Sequence, residues 1–170
     1  MQIISLLKRF YFLKRRLIYH KYKRVVPLNE MLTDRWEKAK FLRFGKESSI
    51  YDSSIVIGEV DVGENTWIGP FTILDGSGGL SIGSNCSISA GVQIYTHNSV
   101  DWAISGGKKE YRKAPTKIGN NCYIGPNSVI ATGVILGDRC IVGANSLVNN
   151  SFSEDSKIAG NPARLIGNNE

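Results

Sequence analysis

Two histidines, His20 and His97, are the side chains of this sequence that could act as a general base near neutral pH with an unperturbed pKa. Such a base removes the proton of a hydroxyl or amine as that group attacks an electrophile. His20 lies in a segment rich in Lys and Arg, where a solvated or packing role is expected. His97 stands where a regular repeat stops and an irregular segment begins. We therefore take His97 as the candidate catalytic residue.

The repeat that surrounds His97 has a period of six residues. A period of six is too short for a helical repeat and too regular for a β-sandwich, so it predicts a solenoid whose coils stack by parallel pairing. Three hexads would form one triangular coil with its aliphatic residues inside. The aliphatic residues that recur at this spacing are Ile50, Val56, Val62, Ile68, Leu74, Ile82, Ile88, Ile94, Ile118, Ile124, Ile130, Leu136, Val142 and Val148.

The other hexad positions are typical of very short strands joined by turns. Gly often follows the aliphatic residue, and Asn or Asp often comes next, which suits corners with a left-handed backbone conformation. The fifth position is usually small, and Cys86, Cys122 and Cys140 all occupy it. The cysteines are therefore expected to be reduced, buried packing residues, without a role in a metal site or a disulfide.

The repeat is interrupted at two places. Between Leu74 and Ile82 the spacing is eight residues, which predicts a two-residue bulge at a corner, within residues 75–79. Residues 98–115 show no hexad pattern and should form an extruded loop that leaves the solenoid just after His97. A long loop in an otherwise compact repeat domain is usually functional, and this one contains Trp102 and Tyr111.

Residues 1–45 lack the repeat and are expected to form a helical segment, followed by the solenoid domain over residues 46–157 and a tail over residues 158–170. Residues 1–24 carry eight Lys or Arg and no acidic residue, whereas residues 25–170 have a net charge of −2. The helical spacing of apolar residues at 6, 10, 13 and 17 predicts a basic amphipathic helix. Such a helix either lies on an anionic membrane surface or caps the first coil. A second helix is expected over residues 28–45.

The charge distribution also limits the expected partners and location. The formal charge of +6 is confined to the N-terminal segment, and no nucleic-acid-binding motif is present, so nucleic acid is not an expected partner. Neither a membrane-spanning apolar run nor a secretory signal pattern occurs in the sequence. A cytoplasmic location is therefore expected, with peripheral contact to the inner membrane surface through residues 3–24 left open.

From residue 50 to about residue 167 the chain resembles the hexapeptide-repeat acyltransferases. The resemblance rests on the hexads, on Tyr95-Thr96-His97 at the start of a protruding loop, and on the closing sequence Ile158-Ala159-Gly160-Asn161-Pro162-Ala163-Arg164. Within that superfamily the chain is most similar to the galactoside, maltose and polysaccharide O-acetyltransferases. The resemblance implies an all-β solenoid, a left-handed parallel β-helix of about five triangular coils. It also implies a homotrimer with sites between subunits and acetyl-CoA as the acetyl donor, with no metal.

The resemblance further implies roles for individual residues. His97 matches the general base, and the amide of Gly125 matches the donor that stabilises the oxyanion, since the next residue, Pro126, has no N–H. Sugar binding could involve Asp75 and Ser77 in the bulge and Trp102 in the loop, by hydrogen bonding or stacking. The positions that match contacts to CoA are Gly125, Gly143, Ala144, Asn149, Asn150 and Arg164.

The implied activity is acetyl transfer from acetyl-CoA to a sugar hydroxyl, in surface polysaccharide biosynthesis. Two alternatives stay open. One is N-acetylation of a nucleotide-linked amino sugar, which would use the same base and donor, and the other is a non-catalytic hexapeptide-repeat scaffold. A γ-class carbonic anhydrase shares the prism but needs three zinc-binding histidines, and the two histidines of this chain exclude it.

Overall fold

A computed structural model describes residues 2–169, which form a parallel β-solenoid preceded by helices. The helices are α1 (Gln2–Tyr22), α2 (Leu28–Leu32), α3 (Arg35–Phe41) and, in the extruded loop, α4 (Val100–Ile104). The strands are β1 (Ser49–Ile50), β2 (Ile55–Val62), β3 (Trp67–Ile68), β4 (Ile73–Ile82), β5 (Ser87–Ile88), β6 (Gln93–Ile94), β7 (His97–Asn98), β8 (Arg112–Lys113), β9 (Thr116–Ile118), β10 (Tyr123–Ile124), β11 (Val129–Ile130), β12 (Ile135–Leu136), β13 (Ile141–Val142), β14 (Leu147–Val148), β15 (Ser156–Gly160) and β16 (Ala163–Asn168). The predicted all-β solenoid with an N-terminal helical segment is confirmed.

The strands stack on three faces. The first face has the order β1-β3-β5-β10-β13-β15, with β16 added antiparallel at its end. The second face contains the first halves of β2 and β4 followed by β6, β11 and β14, and the third contains the second halves of β2 and β4 followed by β9 and β12. Because six parallel strands stack on the first face, the solenoid makes about six turns rather than the predicted five.

The aliphatic hexad positions form the core. In register, Ile50 lies over Ile68 and Ile68 over Ile88, and the same alignment continues along each face. All the predicted inward aliphatic residues are buried except Val56, which is half-buried. Removing each such side chain from water stabilises the fold by roughly 1.5–3 kcal/mol, so these columns of residues hold the coils together.

The corner and cysteine positions also agree with the sequence pattern. Asn65 and Asn85 adopt left-handed backbone conformations, with φ of 51° and 57°, and Asn65 Nδ2 donates to Asn85 Oδ1 in the next coil at 2.8 Å. The three cysteines are buried and unpaired. Cys86 Sγ donates to the carbonyl oxygen of Gly119 at 3.1 Å. The cysteines therefore act as packing residues.

The predicted two-residue bulge is present, but it lies inside a continuous strand and not at a turn. Strands β2 and β4 pair in parallel along their lengths, with Gly58 opposite Gly76 and Val60 opposite Leu80. The register therefore shifts by two residues. Since β4 runs without a break from the second face to the third, its residues 75–79 are held by pairing on both sides of the bulge.

The N-terminal segment differs from the prediction in its second helix. The single helix expected over residues 28–45 is two short helices, because Asp34 starts α3 afresh with a capping box. The Asp34 carboxylate accepts from the Trp36 amide at 3.0 Å, and the Glu37 carboxylate accepts from the Asp34 amide at 3.0 Å. The first coil is capped by Ala39 of α3 and by Phe44, which belong to the core, whereas α1 buries no residue.

None of the helices within residues 2–169 combines the length and apolar character that crossing a bilayer requires.

Candidate active site

The bulge in β4 and the corner after β6 bring Asp75 and His97 together. His97 Nδ1 lies 2.7 Å from Asp75 Oδ2, and the His97 backbone amide donates to the same oxygen at 3.1 Å. Ser77 Oγ also lies 3.0 Å from His97 Nδ1. Backbone and side chain of His97 are therefore both fixed by one carboxylate of the preceding coil.

The prediction that Asp75 binds the sugar is wrong. The residue is fully buried, so it is not accessible to an acceptor. Its carboxylate is instead surrounded by donors of the protein: the Thr96 amide donates to Oδ2 at 2.9 Å and the Ser77 amide donates to Oδ1 at 3.1 Å. Asp75 is a positioning residue that acts through His97.

The hydrogen bonds around Asp75 also set its ionisation. Burial acts to raise the pKa of the carboxyl, but hydrogen bonds from Ser77, Thr96 and His97 outweigh burial and hold that pKa well below its ordinary value. Asp75 is thus a carboxylate at neutral pH and can only accept hydrogen bonds. We assign the proton of neutral His97 to Nδ1 on this basis, which leaves Nε2 as the acceptor.

The His97 ring faces the extruded loop. Strands β7 and β8 pair antiparallel and close the base of the loop, and the side chain of His97 is 35% exposed there. Tyr111 lies beside the ring with a centroid separation of 6.3 Å, and Trp102 of α4 packs edge-on against Tyr111 at 5.6 Å. The predicted loop thus forms an aromatic wall next to the candidate base. Tyr111 was visible in the sequence as an aromatic loop residue, but its distance from His97 was not.

The predicted oxyanion role of Gly125 is wrong. Its N–H donates to the carbonyl oxygen of Val142 at 2.8 Å, as part of the ladder between stacked coils, and Gly125 is buried. A backbone N–H engaged in this way is not free to bind a developing oxyanion or a CoA amide. Gly125 is needed for packing, because a Cβ at this position would lie 2.6 Å from the Ala144 nitrogen.

The other predicted CoA-binding residues lie on two different edges of the solenoid. Gly143 and Ala144 follow β13 at the edge between the first and second faces. Arg164 is exposed at the same end of the first face, paired in register with Ala159 of β15. Asn149 and Asn150 follow β14 and are exposed.

The edge that carries Asn149 and Asn150 is the one that carries His97. Strands β6, β11 and β14 stack directly, so the corner after β14 lies two coils from the corner after β6. Within one protomer, Gly143 and Ala144 are therefore on a different edge from His97.

Among residues 2–169, no group of three or more His, Cys, Asp or Glu side chains is arranged to hold a metal ion.

Comparison with known proteins agrees with this architecture. Residues 115–150 match the family described as bacterial transferase hexapeptide (six repeats), and residues 59–96 match the family described as hexapeptide repeat of succinyl-transferase. A Dictyostelium discoideum protein whose name refers to an acetyltransferase is 37% identical over 109 residues, which cover 63% of this chain and 56% of that protein. The chain spans between 51% and 64% of the length of such curated relatives.

Solved structures show the same fold. A maltose O-acetyltransferase from Clostridium difficile 630 is 26% identical with a TM-score of 0.63, and the alignment covers 100% of this chain and 90% of that one. A hexapeptide-repeat containing acetyltransferase from Vibrio cholerae, solved as a complex with acetyl-CoA, is 25% identical with a TM-score of 0.59, covering 82% of this chain and 80% of that one. The chain therefore carries the hexapeptide repeats that these families describe, and its solenoid has the left-handed parallel β-helix fold that such repeats indicate.

Proposed function

We propose that the chain is an acetyl-CoA-dependent O-acetyltransferase that acts on a carbohydrate hydroxyl. The observation that carries this proposal is the 2.7 Å contact between His97 Nδ1 and the buried carboxylate of Asp75, which leaves Nε2 free to accept a proton. A histidine held in one tautomer beside an exposed aromatic wall is suited to general-base catalysis on a bound alcohol. The acetyltransferases among the structural relatives support the same reaction class.

In the proposed reaction, His97 Nε2 accepts the proton of the acceptor hydroxyl while the hydroxyl oxygen forms a bond to the thioester carbonyl carbon. The carbon–sulfur bond then breaks. The imidazolium returns its proton to the departing sulfur, so the products are an acetyl ester and the CoA thiol, and His97 is neutral again. Asp75 stays ionised throughout and stabilises the transient imidazolium.

Donor binding is proposed at Ala144, Asn149, Asn150 and Arg164. Gly143 is left out of this set because its N–H donates to the carbonyl oxygen of Ile158 at 2.8 Å, as the N–H of Gly125 does to that of Val142. Ala144 is exposed, and its amide makes no hydrogen bond to any residue from 2 to 169, so it can donate to a pantetheine carbonyl. The exposed guanidinium of Arg164 has the planar geometry and permanent charge that suit a phosphate.

A homotrimer would join the two separated edges. One subunit would supply His97 from the edge after the second face, and its neighbour would supply Ala144 and Arg164 from the edge after the first face. The separation of these residues within one protomer supports a composite site between subunits.

The acceptor is proposed to bind against Trp102 and Tyr111. Aromatic side chains offer a flat apolar surface to the C–H face of a sugar ring. Trp102 is 44% exposed, so part of its ring is accessible. Ser77 is half-buried with its hydroxyl at His97, and can form a hydrogen bond at the floor of this site.

The test is release of CoA thiol from acetyl-CoA in the presence of neutral sugars, acidic sugars, polysaccharide fragments and a nucleotide-linked amino sugar. We expect turnover on a hydroxyl acceptor and a loss of about 100-fold or more in His97→Ala, as is typical for removal of a general base. His20→Ala is the matched control and should keep full activity. Turnover confined to the amino sugar would replace the hydroxyl acceptor by an amine. Absence of turnover on the whole panel would favour a non-catalytic scaffold.

A further inference from the structure

Helix α1 carries strong positive charge without any neutralising residue. Six Lys or Arg and no Asp or Glu lie between Gln2 and Tyr22, and Lys23 and Arg24 follow directly. The rest of the chain has a small net negative charge. Two copies of α1 would therefore repel each other, and the body of the protein offers little charge to bind it.

The same helix presents an apolar face that nothing covers within the described residues. Leu6, Phe10, Leu13 and Leu17 follow one another at spacings of four, three and four residues, so they lie along one side of α1. Their exposed fractions are 68%, 42%, 58% and 57%. Lys8, Arg9 and Arg16 lie on other sides of the helix.

The sequence left two roles open for α1, capping of the first coil and contact with a membrane surface, and the structure distinguishes between them. Capping of the first coil is performed by α3, which lies against β1 and contributes Ala39 to the core. No residue of α1 is buried. The apolar face of α1 is thus not required to close the solenoid.

We infer that α1 binds the surface of an anionic lipid bilayer. Leu6, Phe10, Leu13 and Leu17 would enter the boundary between headgroups and acyl chains, and the basic side chains would contact the anionic headgroups. Charge complementarity favours an anionic surface over a second copy of this chain. The apolar face favours lipid over nucleic acid, because a phosphate backbone would leave those four side chains in water.

The test is flotation of the full chain with lipid vesicles. We expect the protein to float with vesicles of phosphatidylcholine mixed with phosphatidylglycerol and not with vesicles of phosphatidylcholine alone. Each lysine or arginine near an anionic surface contributes about fivefold to affinity, so binding should also fall steeply as salt is raised. Equal binding to both kinds of vesicle, or no binding to either, would overturn the inference.

A matched pair of variants tests the geometry. Leu13→Gln/Leu17→Gln removes part of the apolar face and should lower vesicle affinity about tenfold or more. Phe12→Gln/Tyr19→Gln removes aromatic residues that are equally exposed, at 56% and 50%, but lie on the opposite side, and should bind more tightly than the first variant. Because α1 buries no residue, both variants should keep the wild-type melting temperature.

Three results would contradict lipid binding. The first is equal loss in both variants. The second is a smaller oligomer in Leu13→Gln/Leu17→Gln, which would assign the face to a second copy. The third is tight binding to duplex DNA that this variant leaves unchanged. Acetyl transfer to a freely diffusing acceptor should be the same in wild type and both variants, so failure of membrane binding and failure of the proposed enzyme activity are distinguishable.

Discussion

Replacing Asp75 by Asn should lower kcat while the protein still folds. In the wild type, Asp75 Oδ2 accepts hydrogen bonds from the Thr96 amide at 2.9 Å, the His97 amide at 3.1 Å and His97 Nδ1 at 2.7 Å. The second oxygen, Oδ1, accepts from the Ser77 amide at 3.1 Å. An asparagine can satisfy the cluster around Oδ2 only with its carbonyl oxygen, which leaves its NH₂ group facing the Ser77 N–H.

The structure sets the size of both effects. One buried donor facing another donor costs about 1–3 kcal/mol of unfolding free energy. The neutral amide also removes the negative charge that stabilises the imidazolium form of His97. Hydrogen bonds to charged groups are roughly twice as strong as those between neutral groups. A loss of about 1.4–4 kcal/mol of transition-state stabilisation corresponds to a fall in kcat of about 10-fold to 1000-fold.

The assay is steady-state CoA release at saturating acetyl-CoA with the acceptor concentration varied, together with thermal unfolding. We expect kcat of Asp75→Asn to fall while KM for the acceptor changes little, because Asp75 is buried and does not touch the acceptor. Asp61→Asn makes the same chemical change at an exposed position of β2 and should match the wild type. A folded Asp75→Asn protein whose kcat stays within about twofold of wild type would refute the positioning role.

Three further predictions concern packing, acceptor binding and pH. Gly125→Ala should lower the free energy of unfolding by about 2 kcal/mol or more, measured as a lower Tm, because the added Cβ would lie 2.6 Å from the Ala144 nitrogen. In Gly167→Ala the added Cβ meets nothing within 4 Å, so Tm should be unchanged, and equal Tm values for the two variants would contradict the packing role. Trp102→Ala should raise the acceptor KM about tenfold while Ile104→Ala, more exposed on the same helix, changes it little; equal KM values would remove Trp102 from the acceptor site. Because the pKa of Asp75 is lowered in the folded state, its carboxylate stabilises the fold above about pH 4, and this stabilisation is lost as pH falls through the folded pKa. The Tm difference between wild type and Asp75→Asn should therefore shrink at acidic pH. A Tm difference that grows at acidic pH would contradict the lowered pKa.

The period of six predicted the core because one spacing repeats along the chain and each inward residue stacks on another of the same kind. With three hexads in each coil, Ile88, Ile124 and Val142 fall on one face, and their strands are paired in register. The split between α2 and α3 was also present in the sequence, as an Asp34 to Glu37 capping box.

The roles of Asp75 and Gly125 could not be obtained in the same way. Asp75 contacts residues 21 and 22 positions later, and those contacts exist only because the bulge stays inside a paired strand. Sequence alone is equally compatible with an exposed turn aspartate there. For Gly125, the partner of its amide is the Val142 carbonyl oxygen of the next coil, so the availability of the N–H depends on how the coils stack.

The most direct test of His97 as general base is rescue of His97→Ala by imidazole added to the solution. Removal of the ring should lower the rate of acetyl transfer by about 100-fold or more without weakening acetyl-CoA binding, and the rate should rise in proportion to the concentration of added imidazole. A His97→Ala protein that transfers acetyl groups at the wild-type rate would contradict the proposed mechanism.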